Sequence, residues 1–215
     1  MTATTVEEPA RQDWVEIVAT VLLALAAIAT AWSSYQATRW NGEQTKTAAR
    51  VNALRIDAAR AQGMAQSQTQ VDIAVFIQWV DARAIGEEQL ADFYRDRFRD
   101  EFQPAFDAWL ATDPLTDPDA PPSPFAMEEY ALAAGTEAER LDAEAEVLGA
   151  TARRNLQRSA NYVLAVVLFS VALFFAGMST KLRNEGRRKI LVLVGCLLFL
   201  GTAAWIASSP VSVAV

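Results

Sequence analysis

Three groups of polar side chains stand where chemistry is conceivable. Asp13 and Glu16 lie about one helical turn apart at the head of a long apolar run. Repeated around a symmetry axis, such a pair makes stacked acidic rings, which attract and partly dehydrate cations at a channel mouth. The same two acids also suit a helix N-terminus by themselves, where they complement the macrodipole and face headgroups or water. The second group is a collar. Gln36, Arg39, Asn41, Glu43 and Gln44 leave the apolar run, and Arg153, Arg154, Gln157, Arg158 and Asn161 approach the next one. If those two segments pair, the collar can hold lipid phosphates, gate a pore, or satisfy its own hydrogen bonds. The third group is Glu88, Asp92, Asp96 and Asp100, carboxylates at four-residue intervals. Arg95, Arg97 and Arg99 interleave with them, so a solvated mixed-charge face is favoured over a calcium or magnesium site.

Other chemistries are excluded by what is missing. The chain has no histidine, which removes the commonest general base and metal ligand. It has no G-x-S-x-G, no P-loop and no dinucleotide fingerprint. The one cysteine, Cys196, sits in an apolar run and reads as a small packing residue. Residues 35–158 hold 13 Lys/Arg against 21 Asp/Glu, the wrong sign for tracking nucleic-acid phosphates. The expectation is therefore no enzyme, no cofactor, no bound metal and no nucleic acid.

The elements that must position the polar groups follow from hydropathy. Apolar residues make up 52 % of the 215, concentrated in three runs: Trp14–Ser34, Ala160–Ser179 and Ile190–Ser208. Each approaches the roughly 20 residues needed to cross a bilayer, and unpaired peptide groups in lipid would force each to be helical. The predicted fold is an all-α integral membrane protein with a projecting antiparallel helical domain between its first and second spans. Its divisions are a polar tail (1–12), a first span (13–34), a helical domain (35–158), a second span (160–180), a basic loop (181–189), a third span (190–208) and a tail (209–215). The leader before the first run carries Glu7, Glu8 and Asp13, unlike the basic leader of a signal peptide, which favours an uncleaved anchor. Lys181, Arg183, Arg187, Arg188 and Lys189 favour a cytoplasmic hairpin loop and a 35–158 domain on the other side of the membrane, with Arg153, Arg154 and Arg158 beyond the second run as the competing cue.

Within the first span, Thr20, Ala24, Ala27, Ala31 and Ser34 form a small-residue stripe. It either packs on the other two spans or faces identical helices around an axis. Trp32, Tyr35 and Trp40 mark a water boundary. Beyond it, Val51, Leu54, Ala58, Ala61 and Ala65 keep a three-four spacing, matched by Ala134, Ala138, Leu141, Ala145, Leu148, Ala152, Asn155 and Ser159. Two such seams predict paired, coiled-coil-like arms. Leu90, Tyr94, Phe98, Phe102 and Phe106, with Phe93 and Trp109 beside them, form an aromatic ridge for the head of the domain. Pro104 should bend or restart the helix near Gln103. Five prolines between Thr112 and Pro124 predict a loop at the tip, and Ser123-Pro124 should open the returning helix.

The segment from Trp32 to Gln44, W-S-S-Y-Q-A-T-R-W-N-G-E-Q, resembles an uncharacterised bacterial family of membrane proteins with a W-S-x-Y-Q-A-x-R-W-x-G-E-Q segment after the first span. The resemblance implies three spans around an alanine-rich helical domain and a bacterial inner-membrane location. It implies no activity and no catalytic residue. Two functions are expected to compete: an oligomeric cation-conducting pore with the first span near its axis, or a non-conducting scaffold docking a protein partner through the helical head.

Overall fold

In the computed structural model, which describes residues 14–114 and 116–212, every regular element is helical and no strand occurs among the described residues. The elements are α1 (Trp14–Ala84), α2 (Glu88–Arg95), α3 (Gln103–Leu110), a 3-10 turn (Pro124–Ala126), α4 (Ala133–Ser179) and α5 (Glu185–Ala207). Three helices, α1, α4 and α5, are long and apolar enough to cross a membrane, which suggests a membrane protein. The chain divides into two compact units. One comprises Met1–Ala48 with Ala150–Val215, the other Ala49–Gly149.

In the first unit, parts of α1 and α4 pack with α5. The buried face of α1 is Val15, Ala19, Leu22 and Ala26. It is not the small-residue stripe: Thr20, Ala24, Ala27, Ala31 and Ser34 are all exposed within the chain. On α4 the buried face is Tyr162, Ala165, Phe169, Ala172 and Ala176, and Phe169 meets Phe199 of α5 at 5.4 Å between ring centroids. The three helices converge at Gly195. A Cβ there would stand 3.2 Å from Leu22 Cδ2 and 3.5 Å from the Ala172 carbonyl oxygen. Gly195→Leu is therefore expected to cost about 1–3 kcal/mol through overpacking, read as a lower melting temperature in micelles. Gly195→Ala should be nearly neutral, because the Leu22 methyl can turn aside.

The hairpin between α4 and α5 is shorter than 181–189. Asn184 caps α5, its Oδ1 accepting from the N–H groups of Gly186 (3.0 Å) and Arg187 (3.2 Å). Arg187, Arg188 and Lys189 are thus helical rather than loop residues.

In the second unit both alanine seams are inward-facing. Val51, Ala58 and Ala65 are buried on α1, and Ala138, Leu141 and Ala145 on α4. A Cβ on Gly135 would lie 3.9 Å from Ala65 Cβ, and Arg50 reaches Glu144 at 3.8 Å. Gly86 ends α1 with φ +77°. Glu87 N–H donates to the Ala82 carbonyl (3.0 Å) and Gly86 N–H to that of Arg83 (3.2 Å), a Schellman closure.

Two expectations about the head are corrected. The helix breaks after Arg95, so Glu88, Asp92, Asp96 and Asp100 do not share one helical face. Among the described residues, no cluster of three or more acids or cysteines stands ready for a metal. The returning helix begins at Ala133, not at Ser123-Pro124. The intervening residues are held out of a helix by the aromatic core: Phe125 stacks on Phe102 at 5.2 Å, and Tyr130 meets the same ring edge-on at 5.9 Å. The core itself gathers Trp79, Phe98, Phe102, Phe106 and Trp109, while Leu90 and Phe93 of the expected ridge are exposed. Pro104 restarts the chain as anticipated, in the first turn of α3. Trp109 Nε1 donates to the Pro121 carbonyl at 2.8 Å and pins the proline-rich segment to this core.

Candidate functional site

Of the paired acids, Asp13 lies outside the described residues. Glu16 is exposed in the first turn of α1, its carbonyl accepting from the Thr20 hydroxyl at 2.9 Å. Around α1 the residues fall into three faces. The buried face was given above. A second carries the large exposed side chains Ile17, Val21, Leu25, Ile28, Trp32 and Tyr35. The third, at the same helical spacing, carries Glu16, Thr20, Ala24, Ala27, Ala31, Ser34 and Thr38, all small except Glu16 and all exposed. Thr38 donates to the Ser34 carbonyl at 3.0 Å, as Thr20 does to Glu16. Each hydroxyl spends its proton on the backbone and keeps oxygen lone pairs free.

The collar residues separate into two kinds. Most are satisfied along their own helix: Glu43 by Lys46 (3.1 Å), Gln157 by Asn161 (3.0 Å) and Arg154 by Thr151 (2.9 Å). Gln36 and Arg158 reach across elements. Gln36 is 0 % exposed, and its Oε1 accepts from the N–H of Ser212 at 3.0 Å. That donor fixes the amide orientation, so Nε2 is the free side, and it has no partner among the described residues. The guanidinium of Arg158 lies over the Trp40 ring, 4.5 Å from its centroid, and donates to Asn155 Oδ1 at 3.3 Å. Ser159 donates to the Ala37 carbonyl (2.9 Å), and Tyr162 donates to that of Pro210 (3.3 Å). Ser33 Oγ, Arg39 Nε and Trp40 Nε1 are enclosed without a hydrogen-bond partner among the described residues. The roles of Ser33, Trp40, Tyr162 and Ser212 were not foreseen. The Ser212 contact joins residues 176 apart, which no local pattern records.

A second polar cluster, also unforeseen, lies in the head. Asp72 is 2 % exposed. Its Oδ2 accepts from Arg99 at 2.9 Å and from the Tyr130 hydroxyl at 3.0 Å. Tyr130 also lies 3.1 Å from the Thr69 hydroxyl. Arg99 pairs in addition with Glu101, whose other oxygen accepts from the Ala133 N–H at 3.0 Å and so caps α4. Burial raises the Asp72 carboxyl above its ordinary pKa, against the opposing pull of Tyr130 and Arg99. Burial, reinforced by the Asp72 charge, likewise raises Tyr130. A signal existed: Asp72 continues the 58, 61, 65 spacing of the seam, where an acid must be buried and paired. Nothing in this cluster resembles a nucleophile with its base. It ties α1 to the segments before α3 and α4.

No protein-family model matches the chain, and no curated protein and no solved structure matches it either.

Proposed function

We propose that the protein is an oligomeric bacterial inner-membrane protein in which the small face of α1 surrounds the axis of a cation-conducting pore. The observation that carries this reading is the third face of α1. Glu16, Thr20, Ala27, Ala31 and Ser34 make a narrow strip that no other part of the described chain covers. In lipid, small residues let identical backbones approach closely. Outward hydroxyl oxygens and a carboxylate at one end give that strip acceptors suited to cations. In the same reading, α1, the membrane part of α4 and α5 are the three spans, and residues 35–158 project outside the cytoplasm. Contacts pairing residue 50 with 144 and residue 65 with 135 support an antiparallel run of the two arms in the head. Kinship with the W-S-x-Y-Q-A-x-R-W family rests on the Trp32–Gln44 residues alone and is part of this proposal. Labelling a cysteine placed at the Pro121–Pro122 tip should succeed from outside the cell. Labelling only from the cytoplasm would reverse the orientation.

Liposome flux measurements test the pore. Wild-type protein should pass monovalent cations, and Glu16→Gln combined with Asp13→Asn should lower cation selectivity. Ala27→Leu with Ala31→Leu should dissociate the oligomer. Unchanged flux in the acid variants, or a wild-type monomer in lipid discs, would refute the assignment.

One observation favours a scaffold instead. The 49–149 unit leaves Ile73, Ile77, Val80, Leu90 and Phe93 exposed. Beside some of them lies a half-open cleft of about 450 Å³, lined by Phe76, Trp79, Val80, Arg83, Ala84, Trp109 and Pro122. Exposed apolar surface of this kind marks protein contact sites. A stoichiometric complex with a second protein, combined with absence of flux, would select this reading.

A further inference from the structure

The unpartnered donors of the collar lie in the first unit, where α1 and α4 would leave the membrane. Some arginines outside the collar find acids: Arg83, Arg95 and Arg99 each stand within ion-pair reach of a carboxylate. In the collar none does. Among the described residues Arg39 and Arg158 have no carboxylate partner. Arg158 donates, among the described residues, only to Asn155, and its guanidinium carbon stands 4.5 Å from the Trp40 ring centroid, so most of its N–H groups are unspent. The Trp40 Nε1–H and the Arg39 Nε–H have no acceptor among the described residues. Leaving such groups unmatched costs about 1–3 kcal/mol each, and more where charged. All three side chains are donors without acceptor capacity, so a ligand here must present acceptors, and an anion also complements the two guanidinium charges. Planar guanidinium groups beside an indole match the oxygens of a phosphate.

We propose that Arg39, Trp40 and Arg158 clamp the phosphate of a phospholipid headgroup. The source is lipid rather than a free anion because Tyr35 and Trp32, about one and two turns away on α1, are large, exposed and amphipathic, as residues at headgroup level are. The Arg39 Nε and Trp40 Nε1 atoms are enclosed, so the clamp requires the arginine side chains to part and admit the phosphate. Gln36 and Ser33, more deeply enclosed, are outside the clamp. This inference rests on the reading of α1 and α4 as membrane spans.

The test is native mass spectrometry of the full chain in detergent, titrated with phosphatidylglycerol, with diacylglycerol of the same chains, and with inorganic phosphate. Wild-type protein should retain phosphatidylglycerol and not diacylglycerol. Arg39→Gln with Arg158→Gln should weaken retention at least about tenfold, as expected for losing charged hydrogen bonds. Trp40→Phe keeps the ring under Arg158 but lacks the N–H, and should weaken retention about threefold to tenfold. Arg183→Gln in the hairpin with Arg187→Gln in the first turn of α5 should change nothing, and circular dichroism should show equal helicity in every variant. Retention of diacylglycerol equal to phosphatidylglycerol, or unaltered retention in the collar variants, would overturn the clamp. Binding of millimolar inorganic phosphate without lipid retention would overturn its lipid source. No retention by wild-type protein would mean that water satisfies these donors, and would overturn it too. A chain soluble without detergent would instead refute the membrane reading itself.

Discussion

Phe102→Ala should destabilise the 49–149 unit by about 3–5 kcal/mol, the range for emptying a fully enclosed phenylalanine site. Phe102 is 0 % exposed, and its ring touches those of Phe76, Phe98, Phe106, Phe125 and Tyr130, with centroids 4.9–6.3 Å away. These neighbours come from α1, the turn between α2 and α3, α3, and the 3-10 turn with the segment after it, so none can close the gap without dragging its own backbone. Edge-to-face pairs add about 0.5–1.5 kcal/mol each beyond area burial, and several vanish together. Denaturant unfolding of the detergent-solubilised chain, followed by near-ultraviolet circular dichroism, reads the loss. A cost under about 1 kcal/mol would mean that the head is not organised by this ring. Phe102→Leu should lose less, because most of the volume is kept.

Asp72→Ala is the second large effect, about 2–4 kcal/mol, since it leaves the Tyr130 hydroxyl and one arm of Arg99 without their acceptor. Asp72→Asn should cost much less. The reason is the sign of the pKa displacement. In the folded chain Asp72 titrates above its ordinary value of 3.8, so the native state binds the proton more tightly than the unfolded state. Stability linked to this group is therefore fully present below the unfolded value and falls as pH rises through the raised folded one. Relative to Asp72→Asn, the wild-type head should gain stability when a neutral solution is acidified towards pH 4. An ordinary ion-paired carboxylate would behave in the opposite way. The groups facing Asp72 are Arg99, Glu101 and Tyr130, and the tyrosine stays protonated throughout that window. Melting temperatures of the two proteins across the window decide the matter: a wild-type advantage that shrinks on acidification contradicts the account.

The long helices were legible because their causes are periodic. Seams at Val51–Ala65 and Ala138–Ala145 repeat every three or four residues, and one buried stripe each is what the structure contains. The start of α4 was not legible. Ser123-Pro124 satisfies the local rule for opening a helix, yet Phe125, Met127 and Tyr130 are worth more against the Phe102 side of the core than as helical residues. Local preference lost to tertiary contact. The collar shows the same limit. Spacing brought Gln36, Arg39 and Arg158 to notice, but spacing cannot tell a glutamine bonded along its own helix from one holding residue 212. Spacing likewise picked out the small stripe of α1 but could not tell that it is exposed while Val15, Ala19, Leu22 and Ala26 are buried. The acid ladder failed because four-residue spacing implies one face only while the helix continues, and α2 stops at Arg95.

The opening turns of α5 carry an electrostatic conflict. Arg187, Arg188 and Lys189 sit near the positive end of that helix's dipole, where acids would be preferred by about 0.3–1 kcal/mol each. Asn184 and the Glu185–Lys189 pair at 3.3 Å offset part of this. A sequence selected only for the firmness of α5 would not place three cations there. The firmness of α5 therefore rests on its packing, through Gly195 against Leu22 and Phe199 against Phe169, rather than on its opening turn.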